Sequence, residues 1–285
     1  MFAIIGVIVV IASVVGGYVL EHGNLSLLFQ PVELLIIGGA AMGAFLISST
    51  PRVFGLVLKG LLTVLSPKSQ SKEKYLELLS LLFQLFSKIR KEGLVSIESD
   101  IERPETSPIF RKSPSVLANR HMLSFICDNL KVIITANIPP HELDNLMDIE
   151  IDAHHHEALI PSHSISKVAD GLPALGIVAA VLGVVLTMAK INEPPAVLGA
   201  SIGAALVGTF LGVLLSYGFV GPIATNLESQ AEENAVPLQV VKVALVAFVG
   251  GSAPQMAVEF GRRAIPEKGK PTFDELEKTV RGKAK

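Results

Sequence analysis

The chain has 285 residues, is 50% hydrophobic and only 18% charged, and has a mean hydropathy of +0.53. This composition indicates an integral membrane protein with a substantial water-exposed part, and the net charge of −2 gives no reason to expect nucleic acid or an acidic substrate as a partner. The single cysteine, Cys127, excludes an internal disulfide, and its apolar neighbours in LSFICDNL indicate a buried structural thiol.

Four uncharged hydrophobic runs predict four transmembrane helices. The first, residues 3–20, would rise about 27 Å as a helix and lacks the basic start of a cleavable signal peptide. The other three are 34–51, 171–189 and 194–227. A fifth candidate, 243–258, is short and contains Gly-Gly and a proline, so we interpret it as a cytoplasmic helix near the membrane rather than a span.

Lysine and arginine predict the orientation of these spans. Of the 24 basic residues, 14 lie within 51–170 and 9 follow residue 221. Because basic residues concentrate in cytoplasmic segments, the connectors 21–30 and 190–195 are predicted to lie outside the membrane. Both termini and the middle segment are then predicted to lie in the cytoplasm.

The middle segment predicts a helical domain. In KEKYLELLSLLFQLFSKIRKEG, apolar residues such as Leu79, Leu82 and Phe86 recur every three or four positions, and Gly93 is a helix stop. The fold class is therefore predicted as all-α, with four transmembrane helices and a large helical cytoplasmic domain between spans 2 and 3. The predicted domains are a transmembrane hairpin at 1–51, a cytoplasmic helical domain at 52–167, a transmembrane hairpin at 168–227, and cytoplasmic helices with a tail at 228–285.

The interiors of the four runs contain no Asp, Glu, Lys, Arg or His, so this chain alone is predicted to lack a titratable proton relay. They contain small residues in register, which let helices approach closely in lipid. These residues are Ala196, Ala200, Ala204, Gly208, Gly212 and Ser216 in the last run, and Gly176, Ala180 and Gly183 in the third. Two interpretations stay open: packing between this chain's own helices, or contact with another chain that brings the missing ionisable group.

Two prolines are predicted at the cytoplasmic side of the second hairpin. Pro173 would lie in the first turn of span 3, and Pro222, after Gly221, at the inner end of span 4. Proline is tolerated in a first helical turn and Gly-Pro often ends a helix, so each position alone fits an ordinary helix start or stop.

Four stretches of the chain, together with their order, the four-span layout and the large insertion, resemble the flagellar stator A-subunits. This MotA/PomA family lies within the wider MotA/TolQ/ExbB group, and the chain is closer to the proton-type MotA branch. The stretches are DGLPALGIVAAVLGVV, LVGTFLGVLLSYGFVGPIATNL, APQMAVEFGRR and SKIRKEGLVSIESDIE.

The resemblance implies a non-enzymatic, force-generating subunit of the bacterial inner membrane, with no cofactor. Five A-subunits would surround two B-subunits, MotB, whose single transmembrane helix carries the ion-binding aspartate. Ion passage would drive the A-subunit ring around the B helices, and the cytoplasmic domain would push on the rotor protein FliG.

Particular residues match family positions. Pro173 and Pro222 match its two functional prolines. Arg90 and Glu98 match the charged pair that engages rotor charges, although each also fits a solvated helix end. Glu150 matches a family acidic position whose role is less defined.

Ion selectivity is predicted from two further positions. Thr209 matches a pore-facing threonine, whose hydroxyl would bond an ion or the partner carboxylate, or else its own helix backbone. Ala180 lies where sodium-driven members resemble one another in carrying a second threonine. A missing oxygen ligand favours H⁺ as the transported ion over Na⁺.

Alternatives stay open beside the MotA-type stator. They are a sodium-driven PomA-type stator, an ExbB- or TolQ-like subunit that energises envelope processes, and a structural membrane scaffold with no ion path. The first hairpin argues against the ExbB or TolQ type, which usually has three spans. No phosphate-binding loop or nucleophile-base arrangement supports an enzyme.

Two polar segments lie outside these matches. The histidines of AHHHEALIPSH are predicted to be solvated, because adjacent histidines do not share a helix face, with a weak metal contact left open. These are His154, His155, His156 and His163. The basic tail after Pro266 is expected beside anionic membrane lipid.

Overall fold

The computed structural model describes residues 2–65, 71–136 and 138–282, and these form helices joined by turns, with no strand. The predicted all-α class is confirmed. The helices are α1 (Phe2–Leu20), α2 (Leu25–Leu28), α3 (Pro31–Ser48), α4 (Pro51–Leu65), α5 (Lys72–Glu92), α6 (Glu98–Glu102), α7 (Pro114–Ala118), α8 (Arg120–Ala136), α9 (Pro140–Met188), α10 (Pro195–Val213), α11 (Gly221–Val249), α12 (Pro254–Arg263) and α13 (Phe273–Gly282).

Four helical segments are long and apolar enough to cross a membrane, which confirms the predicted number of spans. They are α1, the segment Leu25–Ser48, α9, and the segment Pro195–Val249. The fifth candidate is broken, because α11 ends at Val249, Gly251 takes a φ of +94°, and α12 starts at Pro254. It therefore adds no span within the described ranges.

Two helices are longer than predicted. α9 has 49 residues, so Pro173 lies in its interior and the prediction that it occupies a first turn is wrong. The chain also stays helical from Pro195 to Val249, because the π-helical segment Leu214–Val220 joins α10 to α11. The expectation that a helix ends at Gly221 and Pro222 is therefore also wrong.

Residues Met1–Lys68 and Ala158–Gln230 form one compact unit, which contains the four uncharged runs. It has two small apolar cores, built from Ile37, Ala41, Leu172 and Ala179, and from Phe45, Val57, Val64, Ile165, Ala224 and Leu227. α1 buries none of its residues although it is strongly apolar, as a helix that contacts lipid or a partner does. We call this the membrane unit.

Residues Ser69–Glu157 and Ala231–Lys285 form the second compact unit. The predicted amphipathic helix is confirmed as α5, whose Leu79, Leu82 and Phe86 are completely buried. The Phe86 ring stacks on Phe248 of α11, with ring centres 4.4 Å apart. The predicted domains 52–167 and 228–285 refer to sides of a membrane and stay predictions.

Candidate functional site

Glycines let α9 and α10 cross with their backbones in contact. A Cβ on Gly176 would lie 2.8 Å from the carbonyl oxygen of Gly208 and 3.0 Å from the Cα of Gly212. A Cβ on Gly212 would lie 2.6 Å from the carbonyl oxygen of Leu172. A side chain here would force the helices apart. The small residues in register on α9 and α10, which we call the small-residue stripes, therefore pack the chain's own helices together in this part.

The start of the α10 stripe has a different environment. Ala196 and Ala200 are exposed, and a Cβ on Gly199 or Gly203 would meet no atom within 4 Å. Helices in lipid use such small residues for close contact. The interpretation that a stripe meets another chain therefore stays open for this half of α10.

The two predicted selectivity positions lie at the same crossing. Ala180 is buried, and its backbone nitrogen would lie 3.1 Å from a Cβ on Gly208. Thr209, the residue after Gly208, is half-buried, and its hydroxyl makes no hydrogen bond within the described part of the chain. By contrast, the hydroxyls of Thr187 and Thr225 donate to carbonyl oxygens four residues earlier, at 2.8 and 3.3 Å. The alternative, a hydrogen bond from the Thr209 hydroxyl to the backbone of its own helix, does not occur in the structure.

An open pocket of about 590 Å³ lies beside Pro222 in the membrane unit. Its lining residues are mostly small or hydroxyl-bearing: Ser166, Ala169, Asp170, Ser216, Tyr217, Gly221, Pro222, Thr225, Asn226 and Ser229. Because proline has no N–H, Pro173 removes the usual helical donor from the carbonyl of Ala169, four residues earlier. The turn before Pro173 and the turn around Pro222 thus meet at one pocket.

The π-helical segment ends directly before Pro222. The Gly221 N–H donates to the carbonyl oxygen of Ser216, five residues earlier instead of four, and Ser216 is buried in the pocket lining. Such wide turns recur at functional sites, and helices bend where their hydrogen-bond ladder is interrupted. The hydrogen-bond ladders of two long helices are therefore interrupted beside this pocket, one at Pro173 and the other directly before Pro222.

Arg90 and Glu98 lie on either side of an exposed turn in the second unit. Gly93 takes a φ of +90°, which favours glycine, and so ends α5 as predicted. Below the turn, Lys88 Nζ lies 2.8 Å from Asp100 Oδ2, and Asp100 is only 5% exposed. Arg90 and Glu98 are exposed, with no hydrogen bond or ion pair to the residues that the structure describes. Both charged groups are available to a partner.

Glu150 has a partner within the chain. Its Oε2 accepts a hydrogen bond of 3.1 Å from the side-chain amide of Asn129, a buried residue of α8. This bond joins α9 to α8. Glu150 therefore helps to hold α8 and α9 together within the second unit.

The prediction that the histidines are solvated is wrong for His154 and His155, which are half-buried. The His154 ring stacks on His121 of α8 at 3.8 Å, and burial, with His121 adding to it, lowers the pKa of His154. His156 and His163 are exposed. Within residues 2–65, 71–136 and 138–282, no three His, Cys, Asp or Glu side chains are grouped as metal ligands.

The stretch APQMAVEFGRR forms α12, and its charges bond to one another. Glu259 is buried and accepts from Arg262 at 2.7 and 2.8 Å and from Arg263 at 3.0 Å. These hydrogen bonds, from Arg262 most strongly, hold the pKa of the Glu259 carboxyl below its usual range. Arg262 also donates to the carbonyl of Pro271 at 2.9 Å. The cluster fastens the C-terminal segment to α12.

Glu33 was not predicted as a site residue. It lies just before the uncharged run 34–51, but α3 starts at Pro31, so Glu33 belongs to the helix of the second span. The run 34–51 itself contains no Asp, Glu, Lys, Arg or His, as predicted, but the helix that includes it carries a carboxyl group in its first turn. Proline favours the first positions of a helix, and the Pro-Val-Glu order in the sequence was the available signal.

Comparisons with known families agree with this fold. Residues 4–93 match the family described as Motility protein A N-terminal, and residues 117–239 match the MotA/TolQ/ExbB proton channel family. Together these define the class as a multi-pass inner-membrane protein of the proton-channel type.

Individual relatives cover almost the whole chain. Motility protein A of Salmonella typhimurium is 45% identical over 99% of this chain and 95% of the relative, and that of Escherichia coli is 44% identical with the same coverage. Chemotaxis protein LafT of Vibrio parahaemolyticus is 36% identical over 96% of both chains. The chain belongs to the motility protein A family.

Two solved structures share the fold. The C. jejuni MotAB structure matches with a TM-score of 0.77 at 18% identity, over 95% of this chain and 98% of that one. The MotAB stator complex of Bacillus subtilis matches with a TM-score of 0.71 at 22% identity, over 90% and 92%.

Proposed function

We propose that this chain is a flagellar stator A-subunit that forms an ion channel with a MotB-type B-subunit and converts ion flow into torque on the rotor. The observation that carries the proposal is the α9–α10 crossing, where the Thr209 hydroxyl has no hydrogen-bond partner among the described residues and the helices pack at backbone distance. Runs 171–189 and 194–227 contain no Asp, Glu, Lys, Arg or His. A carboxylate from a partner helix would supply one.

The proposed cycle moves one proton at a time. The partner aspartate accepts a proton from the outer side, loses its charge and its desolvation cost, and so changes its fit against α9 and α10. It then releases the proton to water on the inner side and regains its charge. The Thr209 hydroxyl can donate to the aspartate when it is charged and accept from it when it is protonated.

The movable element is the inner part of the same two helices. Pro173 and the π-helical turn before Pro222 interrupt the hydrogen-bond ladders of α9 and α10–α11 at the open pocket. A helix bends at such interruptions with little loss of bonding. We therefore assign Pro173 and Pro222 to conformational coupling.

The exposed pair Arg90 and Glu98 would contact complementary charges on the rotor protein FliG. Both side chains project from a turn that Gly93 and the Lys88–Asp100 ion pair hold in place. Five A-subunits around two B-subunits, with both termini in the cytoplasm, would place this surface toward the rotor. Glu150, bonded to Asn129, is assigned a supporting role in the same unit.

Protons are the proposed ion. A sodium site needs several oxygen ligands, and Ala180 contributes none at the crossing. Among the described residues, the side-chain oxygens near the crossing are the Thr209 hydroxyl and the carboxyl of Glu33. The partner's helix also lines the path, so the sodium-driven alternative is decided by experiment.

Co-expression of the chain with a MotB-type partner tests the function. We expect proton flux that disappears when the partner's aspartate is replaced by asparagine, and motility that persists without sodium but stops with a proton uncoupler. A scaffold would give no flux that depends on this aspartate. Motility that requires sodium would support the PomA type, and flux without any motor function would support the ExbB or TolQ type.

A further inference from the structure

Glu33 is a buried acidic residue within the membrane unit. Its side chain extends from the first turn of α3 and is only 9% exposed. The carboxylate Oε2 is buried and has no hydrogen-bond partner in the part of the chain that the structure describes. Buried polar atoms usually have a partner, and an ionisable residue inside a membrane is costly and typically functional.

The carboxylate occupies a notch that glycines create in the α9–α10 pair. A Cβ on Gly208 would lie 2.9 Å from Glu33 Oε2, and a Cβ on Gly183 would lie 3.6 Å from Glu33 Oε1. A side chain on Gly208 would take space that the carboxylate now fills, whereas at Gly183 the carboxylate lies at ordinary contact distance. Gly208 therefore does more than bring α9 and α10 together, because it also admits a carboxyl group from α3.

This notch adjoins the predicted ion-path residues. Gly208 directly precedes Thr209, and the backbone nitrogen of Ala180 would lie 3.1 Å from the same Cβ position on Gly208. α3 begins at Pro31, immediately after connector 21–30, which is predicted to lie outside. Glu33 thus connects the outer end of the second span with the α9–α10 crossing.

The described helical segments around this notch contribute no other charged group to it. The helices α1, α2 and α10 carry no Asp, Glu, Lys, Arg or His, and neither does the run 171–189 of α9. The ionisable residues of the two predicted outer connectors are exposed: Glu21, His22, Lys190 and Glu193. Glu33 therefore has no counter-ion at the crossing.

We propose that Glu33 is a proton-binding residue of the ion path, contributed by this chain on the outer side of the partner's aspartate. The proposal rests on the proposed function as an ion channel. Glu33 Oε2 accepts a proton from water on the outer side, and the neutral acid then gives it to the partner's carboxylate. Glu33 is left as a carboxylate, which the next proton neutralises.

Two substitutions separate proton binding from shape. Glu33→Gln keeps the size and hydrogen-bonding capacity but cannot titrate, and Glu33→Asp shortens the side chain but can. With the partner co-expressed, we expect Glu33→Gln to lower proton flux about tenfold or more and to flatten its dependence on external pH, while Glu33→Asp keeps more flux and the pH dependence. The matched control Glu21→Gln removes an exposed acid from the outer connector and leaves flux unchanged.

The reverse order of the two variants overturns the proposal. If Glu33→Gln conducts like the unsubstituted chain and Glu33→Asp does not, Glu33 only fills space. If the unsubstituted chain shows no flux that depends on the partner's aspartate, the proposed function fails instead, so the two failures are distinct.

Carbodiimide labelling of the unsubstituted complex gives a result even if the variants fail to assemble. The reagent attacks protonated carboxyl groups in apolar surroundings, and mass spectrometry locates the adduct. We expect labelling at Glu33 that decreases as the external pH rises. Absence of label at every pH, or labelling that does not change with pH, contradicts a proton-exchanging carboxyl.

Discussion

Gly176 of α9 and Gly212 of α10 lie so close together that a Cβ on Gly212 would be 2.8 Å from the Cα of Gly176. The same Cβ would lie 2.6 Å from the carbonyl oxygen of Leu172, and backbone atoms cannot move aside as a flexible side chain can. We expect Gly212→Ala to destabilise the membrane unit by about 1–3 kcal/mol, as overpacking does, and to abolish motility. Thermal unfolding in detergent and soft-agar swimming measure the two effects.

The matched control for Gly212→Ala is Gly199→Ala in the same helix, where a Cβ meets no atom within 4 Å. This variant should fold as the unsubstituted chain does. Equal losses in both variants would show that the effect does not come from the α9–α10 crossing, since alanine itself favours a helix more than glycine does.

Lys242 is the basis of a second prediction. Its ammonium group, on a side chain only 8% exposed, lies 2.9 Å from Asp144 Oδ1 and 2.6 Å from Asp148 Oδ2. Lys242→Met removes the cation that Asp144 and Asp148 share, but water screens these two carboxylates, which are 43% and 47% exposed, so we expect a loss of about 1–2 kcal/mol in the stability of the second unit. The control Lys131→Met breaks an exposed pair with Asp128 and should cost less than about 1 kcal/mol. Similar shifts in melting temperature for both would refute the role of burial.

Cys127 gives a prediction about pH. Burial raises the pKa of its thiol from 9.0 to about 11. The neutral thiol is thus favoured by folding, a contribution fully present below pH 9 and lost as the pH rises through 11. At pH 8 we expect iodoacetamide to leave Cys127 unmodified in the native protein and to alkylate it in denaturant, as mass spectrometry will show. A cysteine at the exposed position 99, introduced as Ser99→Cys in a Cys127→Ala background, should react at once.

Much of the fold could be predicted from local pattern. The spacing of Leu79, Leu82 and Phe86 and the stop at Gly93 predicted α5, because helix amphipathicity and capping are properties of neighbouring residues. The number of spans could also be predicted, because an uncharged run is likewise a property of neighbouring residues. What these patterns could not predict is where a helix continues past a proline, as α9 does at Pro173 and α10–α11 does at Pro222. That depends on packing against other helices and on the π-helical turn.

The site shows the same limit. Thr209 and Ala180 were singled out by resemblance, but only coordinates place both at the glycine crossing and show the threonine hydroxyl without a bond. Glu33 was not singled out, because the spans were predicted from uncharged runs and Glu33 lies just before the run 34–51. Its burial arises because α3 places it against Gly183 and Gly208, more than 140 positions away in sequence. Long-range packing of that kind leaves no periodic signal.

The last prediction concerns the rotor-facing pair. Arg90 is exposed and has no bond to the described residues, so Arg90→Glu should change the free energy of unfolding by no more than about 0.5 kcal/mol. Reversal of the charge toward a complementary rotor surface is repulsive, however, so we expect swimming to be lost when rotor charges are also weakened. Lys91→Glu is the matched control, since it makes the same charge change at the next exposed position, on a different side of α5. Swimming speed and stability of the two variants are measured together. If, with the rotor charges weakened, Arg90→Glu swims as the unsubstituted chain does, or if Lys91→Glu is impaired equally, the contact is not made by Arg90.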